Sequence, residues 1–173
     1  MRIGIFADAH DHVDNICRLV AEFNRLECEL VLFAGDFVSP IIVPPLRKLR
    51  CRMVACFGDA DGNKVGIIGG MRIVGPVGEP PFCIQTVDGT RILLTHIPDV
   101  PPDLQEGCAV IVSAHTHRPR IATDNAGRLH INPGEASGWV YRRPSAILLE
   151  TEPLHARVIE LPAMPPVSLP AMK

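Results

Sequence analysis

The chain has 173 residues, with 17 Lys and Arg against 19 Asp and Glu, for a formal net charge of −2. That length suits one domain with a core of its own. The balanced charge, with no basic stripe, argues against binding nucleic acid or an anionic membrane through the bulk surface. No apolar run approaches the length of a membrane span, and the chain enters a strand at once without a signal-peptide layout. The six cysteines (Cys17, Cys28, Cys51, Cys56, Cys83 and Cys108) sit mostly within apolar segments and form no Cys-x-x-Cys pair. They predict reduced, buried thiols and a cytoplasmic location.

Arg2 to Ala7 is short, apolar and partly β-branched, the pattern of a buried strand, and it runs into Asp8-x-His10. On extended chain, residues two apart point to the same side, so a carboxylate and an imidazole are expected to leave the strand end together. Val13, Ile16, Leu19, Val20 and Phe23 then mark a helical face, with Asp11 or Asp14 as its expected cap. Glu29 to Ala34 reads as a second strand ending at Gly35-Asp36. Pro40, Pro44 and Pro45 open a short helix reaching Leu49. Cys51 to Phe57 reads as a third strand, ending at Gly58-Asp59-Ala60-Asp61. Strands separated by helical segments predict right-handed βαβ units and a parallel sheet.

Beyond Met71 the pattern changes to short strands: Met71 to Gly75, Phe82 to Val87, Arg91 to Thr95, Ala109 to Ala114, Pro119 to Thr123, Arg128 to Asn132, Ser145 to Thr151 and His155 to Leu161. Asp88-Gly89 predicts a hairpin, and Pro102 to Glu106 has room for one helical turn. The expected fold is α/β, two sheets face to face with helices outside, over residues 1–161. The tail from 162 to 173 carries four prolines and is expected to be extended or disordered.

Two more clusters stand at strand ends, Thr95-His96 and His115-Thr-His117. With them, Asp8, His10, Asp36, Asp59, His96, His115 and His117 form a pool of carboxylate and imidazole ligands for borderline divalent metals. Each piece alone has a plainer reading. Asp36 can shape a turn, His96 can be a core histidine, and His115 and His117 can belong to a solvated loop or a structural zinc site. Shared through one carboxylate, with Asp36 on a central strand the natural bridge, the seven provide two four-ligand sites. Ions about 3.5–4 Å apart clamp a phosphoryl group and generate a hydroxide nucleophile near neutral pH.

The ordered motifs Asp8-x-His10, Gly35-Asp36, Gly58-Asp59-x-Asp61, Thr95-His96, Ala114-His115-Thr-His117-x-Pro119 and Asn132-Pro-Gly134 resemble those of the calcineurin-like metallophosphoesterases. The resemblance is to their small single-domain bacterial and archaeal phosphodiesterases and covers roughly residues 1–160. It implies a four-layer αββα sandwich of two mixed sheets. It also implies a binuclear centre, with Asp8, His10, Asp36 and His117 on one ion and Asp36, Asp59, His96 and His115 on the other. A bridging hydroxide is then the expected nucleophile. By the same resemblance Asp36, Asp61 and His115 are the candidate catalytic residues and Asn132 a substrate-binding rim residue. Arg118, Arg142 and Arg143 follow motif positions and suit phosphate. Manganese is the metal the resemblance favours, and the ligand set also suits iron, zinc or nickel.

Three departures from the family pattern carry consequences. Asp59 stands where the family has asparagine, Ala60 where members have histidine or cysteine, and Ala114 and Ile97 where glycines are usual. Without an acid at position 60, a site dependent on metals prefers diesters with good leaving groups. Asp59 lowers the charge of the site by one unit, which favours a monoanionic diester over a dianionic monoester. His12 is a neighbouring proton-donor candidate or a solvated residue of the first helix turn, and His130 and His155 read as structural. The expected substrate is a small phosphodiester, with nucleic acid only as a possible substrate through its ends. The alternative is a scaffold or binding protein of the same fold, like a retromer subunit.

Overall fold

The computed structural model describes residues 1–162, so nearly all of the Pro-rich tail lies outside the described residues. Four parallel strands open the chain: β1 (Arg2–Phe6), β2 (Leu30–Ala34), β3 (Arg52–Cys56) and the two-residue β4 (Val77–Gly78). They are linked by helices α1 (Val13–Arg25), α2 (Val43–Leu46, entered through a 3-10 turn at Pro40–Ile42) and α3 (Lys64–Met71). Helix α1 forms because Ile16, Leu19, Val20 and Phe23 fall on one buried face. Its cap is neither expected aspartate. Nδ1 of His12 accepts the N–H of Asn15 at 3.3 Å, while Asp11 accepts the N–H and hydroxyl of Ser39.

The expected strand over Met71 to Gly75 is absent. Met71 closes α3, and the edge strand comes later as β4. Helix α3 has no amphipathic stripe, and Gly66, Gly69 and Gly70 weaken its intrinsic helix preference. Its start is set by the Asn63 side chain, which accepts the N–H of Gly66 at 2.9 Å.

Strands β5 (Phe82–Gln85), β6 (Arg91–Leu94), β7 (Val110–Val112), β8 (Pro119–Thr123) and β9 (Leu129–Pro133) make a second, mixed sheet in the order β5-β6-β7-β9-β8. The last hairpin, β10 (Ser145–Thr151) and β11 (Leu154–Glu160), returns to the first sheet. There β10 pairs antiparallel with β1, giving the order β11-β10-β1-β2-β3-β4.

The two sheets pack through Ile3, Ile5, Leu32 and Ile147 on one side and Ile92, Leu94, Val110, Val112 and Ile131 on the other. The opposite face of the first sheet, with Phe6, Phe33 and Met53, is covered by the three helices. On the outer face of the second sheet, Leu93, Cys108 and Ile111 pack with Val100. The nearby helical piece is a single 3-10 turn at Pro102–Gln105, so the fourth layer is thin. The thiols are less uniformly buried than expected: Cys28, Cys56 and Cys108 are buried, Cys51 is half-buried, and Cys17 and Cys83 are exposed. All six are free.

Candidate metal centre

Parallel strands of one sheet end on the same side, which gathers the loops after β1, β2 and β3. The loops after β6 and β7 meet them from the second sheet, bonded to each other by the Ala114 N–H to the His96 carbonyl at 2.8 Å. The loops after β1 and β2 are stitched by Asp8 N–H to Gly35 O and Ala9 N–H to Asp36 O, both 3.0 Å.

The chain leaves the extended conformation at five of the seven ligands. Asp8, His10, Asp36, His115 and His117 all have positive φ, at 50°, 41°, 67°, 66° and 60°. The expected strand alternation therefore does not operate at Asp8 and His10; left-handed turns aim them instead. Such backbone costs roughly 1–3 kcal/mol per non-glycine residue and persists where surrounding contacts impose it. Two glycines make the turns possible. Gly35 has φ of +96°, and a Cβ there would lie 2.7 Å from Nδ1 of His96. A Cβ on Gly58 would lie 2.0 Å from an oxygen of Asp36.

Donor atoms fall into groups in which all lie within 4.8 Å of one another: Asp8, His10 and His117; Asp59, His96 and His115; and Asp8, Asp36 and His96. Asp36 spans the first two groups. One of its oxygens is 3.5 Å from Nε2 of His10 and the other 3.5 Å from Nε2 of His96. The rings of His10 and His117 stack at 5.1 Å.

These residues fit divalent cations on three observations. Both oxygens of Asp8 and Nε2 of His10 are buried without a hydrogen-bond partner, an arrangement costly for an ionised group. His96 donates from Nδ1 to the Ala34 carbonyl at 2.7 Å, which leaves the Nε2 lone pair facing Asp59 Oδ1 at 2.8 Å. Two acceptors so placed need a proton or a cation between them. Burial, then the charges of Asp36 and Glu135, push Asp8 from 3.8 up to about 8, the mark of crowded carboxylates lacking positive charge. Mixed carboxylate and imidazole donors suit manganese, iron, zinc or nickel.

Two candidates hold turns that carry ligands. Asp61 is buried, and both of its oxygens accept backbone N–H groups, from Val38 at 2.8 Å, Gly58 at 2.7 Å and Asp36 at 3.3 Å. It ties the loop after β2 to the loop after β3, a positioning contact made by both of its oxygens. Asn132 is buried, yet it lines a surface cavity of about 530 Å³ together with Thr116 and Arg118. Its amide donates to the Ala114 carbonyl at 2.9 Å and the Thr116 hydroxyl at 3.0 Å, bracing the turn that carries His115 and His117. Arg118 is exposed and donates to the Tyr141 hydroxyl at 2.9 Å. Arg143 pairs with Glu160 at 2.6 Å, and Arg142 lies with His12 and Arg18 beside a separate surface hollow. His130 pairs with Asp124 at 3.0 Å, away from the ligands.

Sequence reasoning missed Glu135. Its carboxylate, fully buried, accepts from Nδ1 of His117 at 3.0 Å and from the N–H groups of Val140 and Tyr141 at 2.9 and 2.6 Å. Against the effect of burial, these bonds hold it below the usual glutamate range. Its place just after Asn-Pro-Gly was the one signal available.

Residues 1–153 match the family model of the calcineurin-like phosphoesterase superfamily domain, and the chain belongs to that superfamily. It is a phosphoesterase of the metal-dependent kind. It is similar to a phosphodiesterase of Methanocaldococcus jannaschii, 29% identical over 93% of this chain and 99% of that protein. A solved archaeal phosphodiesterase superposes with a TM-score of 0.83 at 28% identity, over 93% of this chain and 100% of the other. Vps29 of Entamoeba histolytica shares the fold at 17% identity and a TM-score of 0.65, over 94% of this chain and 100% of the other. Among the described residues, no helix is long and apolar enough to cross a membrane.

Proposed function

We propose that the chain is a phosphodiesterase that uses two divalent transition-metal ions, one held by Asp8, His10, Asp36 and His117 and the other by Asp36, Asp59, His96 and His115. The observation that carries this reading is Asp36, with one oxygen turned to His10 and the other to His96. When bound, the ions supply Lewis acidity for phosphoryl oxygens and lower the pKa of water toward neutrality. The protein sets what else the site does. Asp8 and Asp36 are buried on strand-end turns that Asp61 and the two glycines hold, so the donors need little rearrangement. Position 60 offers only a methyl group, so no acid stands where family members carry one. The leaving group therefore departs best as a stable anion. The extra negative charge of Asp59 disfavours a dianionic monoester. The similarity to archaeal phosphodiesterases supports the same reaction class.

The test is hydrolysis by manganese-loaded protein of bis(p-nitrophenyl) phosphate against p-nitrophenyl phosphate and an alkyl monoester. The diester is expected to turn over fastest. Equal or faster turnover of the alkyl monoester refutes the diesterase reading. Absence of both metal binding and turnover counts for the scaffold alternative, against which the four imidazoles of the ligand cluster argue.

A further inference from the structure

The segment between β9 and β10 closes one end of the ligand cluster and is bonded to it. Ala136 N–H reaches Ala7 O at 2.8 Å, Ser137 N–H reaches Asp8 O at 3.1 Å, and the Trp139 indole N–H reaches His10 O at 3.3 Å. From the inside, the buried Glu135 carboxylate grips the N–H groups of Val140 and Tyr141. The backbone is thus fixed, while the side chains it carries face water: Trp139 is 63% exposed and Tyr141 41%. Large rings held partly in water by a buried carboxylate gain little from burial. They are preorganised contact surface.

Both rings rim the end of the site that holds His10 and His117. Trp139 lies 4.8 Å from the His12 ring. Tyr141 lies under the Arg118 guanidinium, 5.0 Å from ring centroid to Cζ. Beside them lies a cavity of about 300 Å³, at the small end of ligand pockets. It is lined by His117, Arg118, Pro119, Tyr141 and Ser145 and by the ion pair of Arg143 with Glu160, which leaves Arg118 as its free cation among the described residues. Among the described residues Arg118 has no carboxylate partner within salt-bridge distance, in contrast to Arg143. A flat cation backed by a phenol ring, next to a histidine of the ligand cluster, suits a flat aromatic group joined to phosphate. The other end, with Asp59 and His115, is open.

We propose that the cavity beside His117 is a nucleobase subsite walled by Arg118 and Tyr141, and that the substrate is a small nucleotide diester whose base lies over the His10–His117 end. This deepens the phosphodiesterase reading and rests on it. The balanced net charge and the small cavity favour a free nucleotide over the end of a nucleic acid.

The test is calorimetric titration of the manganese-loaded protein with adenosine 5′-monophosphate and with ribose 5-phosphate, which carries the same phosphate and sugar without a base. The nucleotide is expected to bind about tenfold more tightly and to change the emission of Trp139, the chain's one tryptophan. Tyr141→Ala should abolish most of that advantage while leaving ribose 5-phosphate within about twofold of wild type, Arg118→Ala should abolish the advantage and weaken both ligands through the lost cation, and Tyr141→Phe should keep it. Equal affinity for the two ligands, or an advantage that survives both alanine variants, overturns the subsite. A six-nucleotide single strand is expected to bind no better than a dinucleotide, and tighter binding overturns the small-molecule source. Failure of diester hydrolysis with the base advantage intact refutes the diesterase reading and leaves the subsite standing.

Discussion

Nδ1 of His117 lies 3.0 Å from the fully buried carboxylate of Glu135, while Nε2 of the same ring faces Asp8 Oδ1 at 3.8 Å. The carboxylate accepts the Nδ1 proton, which fixes the tautomer and leaves Nε2 as a lone pair aimed at the ligand cluster. Glu135→Gln keeps the shape but weakens that acceptor. It is expected to lower metal affinity at the His10–His117 group about 10- to 100-fold, with the His96–His115 group unaffected. Calorimetric metal titration reads both sites. Unchanged affinity at both means that Glu135 only fastens the loop.

Asp59 Oδ1 stands between two imidazoles, 2.8 Å from Nε2 of His96 and 3.1 Å from Nδ1 of His115. Asp59→Asn replaces an anionic donor by a neutral one of nearly the same shape. The variant should release the second metal more readily and, at saturating metal, hydrolyse activated diesters faster because the site gains one unit of positive charge. Metal retention equal to wild type with no gain in turnover would refute the electrostatic account.

Gly58 is packed against Asp36 so tightly that any side chain must move the shared carboxylate. Gly58→Ala is expected to cost about 1–3 kcal/mol of stability and to impair metal binding at both groups together. Gly69 in α3 meets nothing within 4 Å, and Gly69→Ala should stabilise by about 0.5–1 kcal/mol with metal binding intact. Denaturant unfolding of the two variants checks the contrast, and similar behaviour would argue against it.

The raised pKa of Asp8 has a consequence for metal-free protein. Its folded value of about 8 exceeds the unfolded 3.8, so the folded state holds the proton more tightly and stability falls as pH rises toward 8. His10, whose pKa is lowered first by burial, acts in the opposite direction, but only near and below about pH 6.5. Between about pH 6.5 and 8.5, chelator-treated protein should therefore lose stability as pH rises, and added manganese should raise Tm more at the upper end. Melting curves in which metal-free Tm climbs through that window would count against a buried, unpaired Asp8.

Much of the site was legible in order along the chain. Aspartates and histidines placed after short apolar runs are a one-dimensional pattern, and strand ends of a parallel sheet meet for topological reasons alone. The grounds for pairing Asp8 with His10 were nevertheless incorrect, since left-handed turns rather than strand alternation bring them together. Helix α3 was missed because its glycines and all-round apolar surface give no period to read.

From its sequence alone the chain announces its family, its metal-ligand residue types and its missing acid at position 60, because these depend only on residue identity and motif order. Tertiary structure decided which carboxylates face the ligand cluster and which brace it. Asp61 and Asn132 spend their polar atoms on backbone and loop contacts that hold the ligand-bearing turns. Glu135, which no pattern singled out, reaches His117 across 18 residues of chain. The last hairpin joins the first sheet by pairing with β1, nearly the full length of the chain away. Such pairings depend on which groups are left unsatisfied once the core has closed, and only the packed structure determines that.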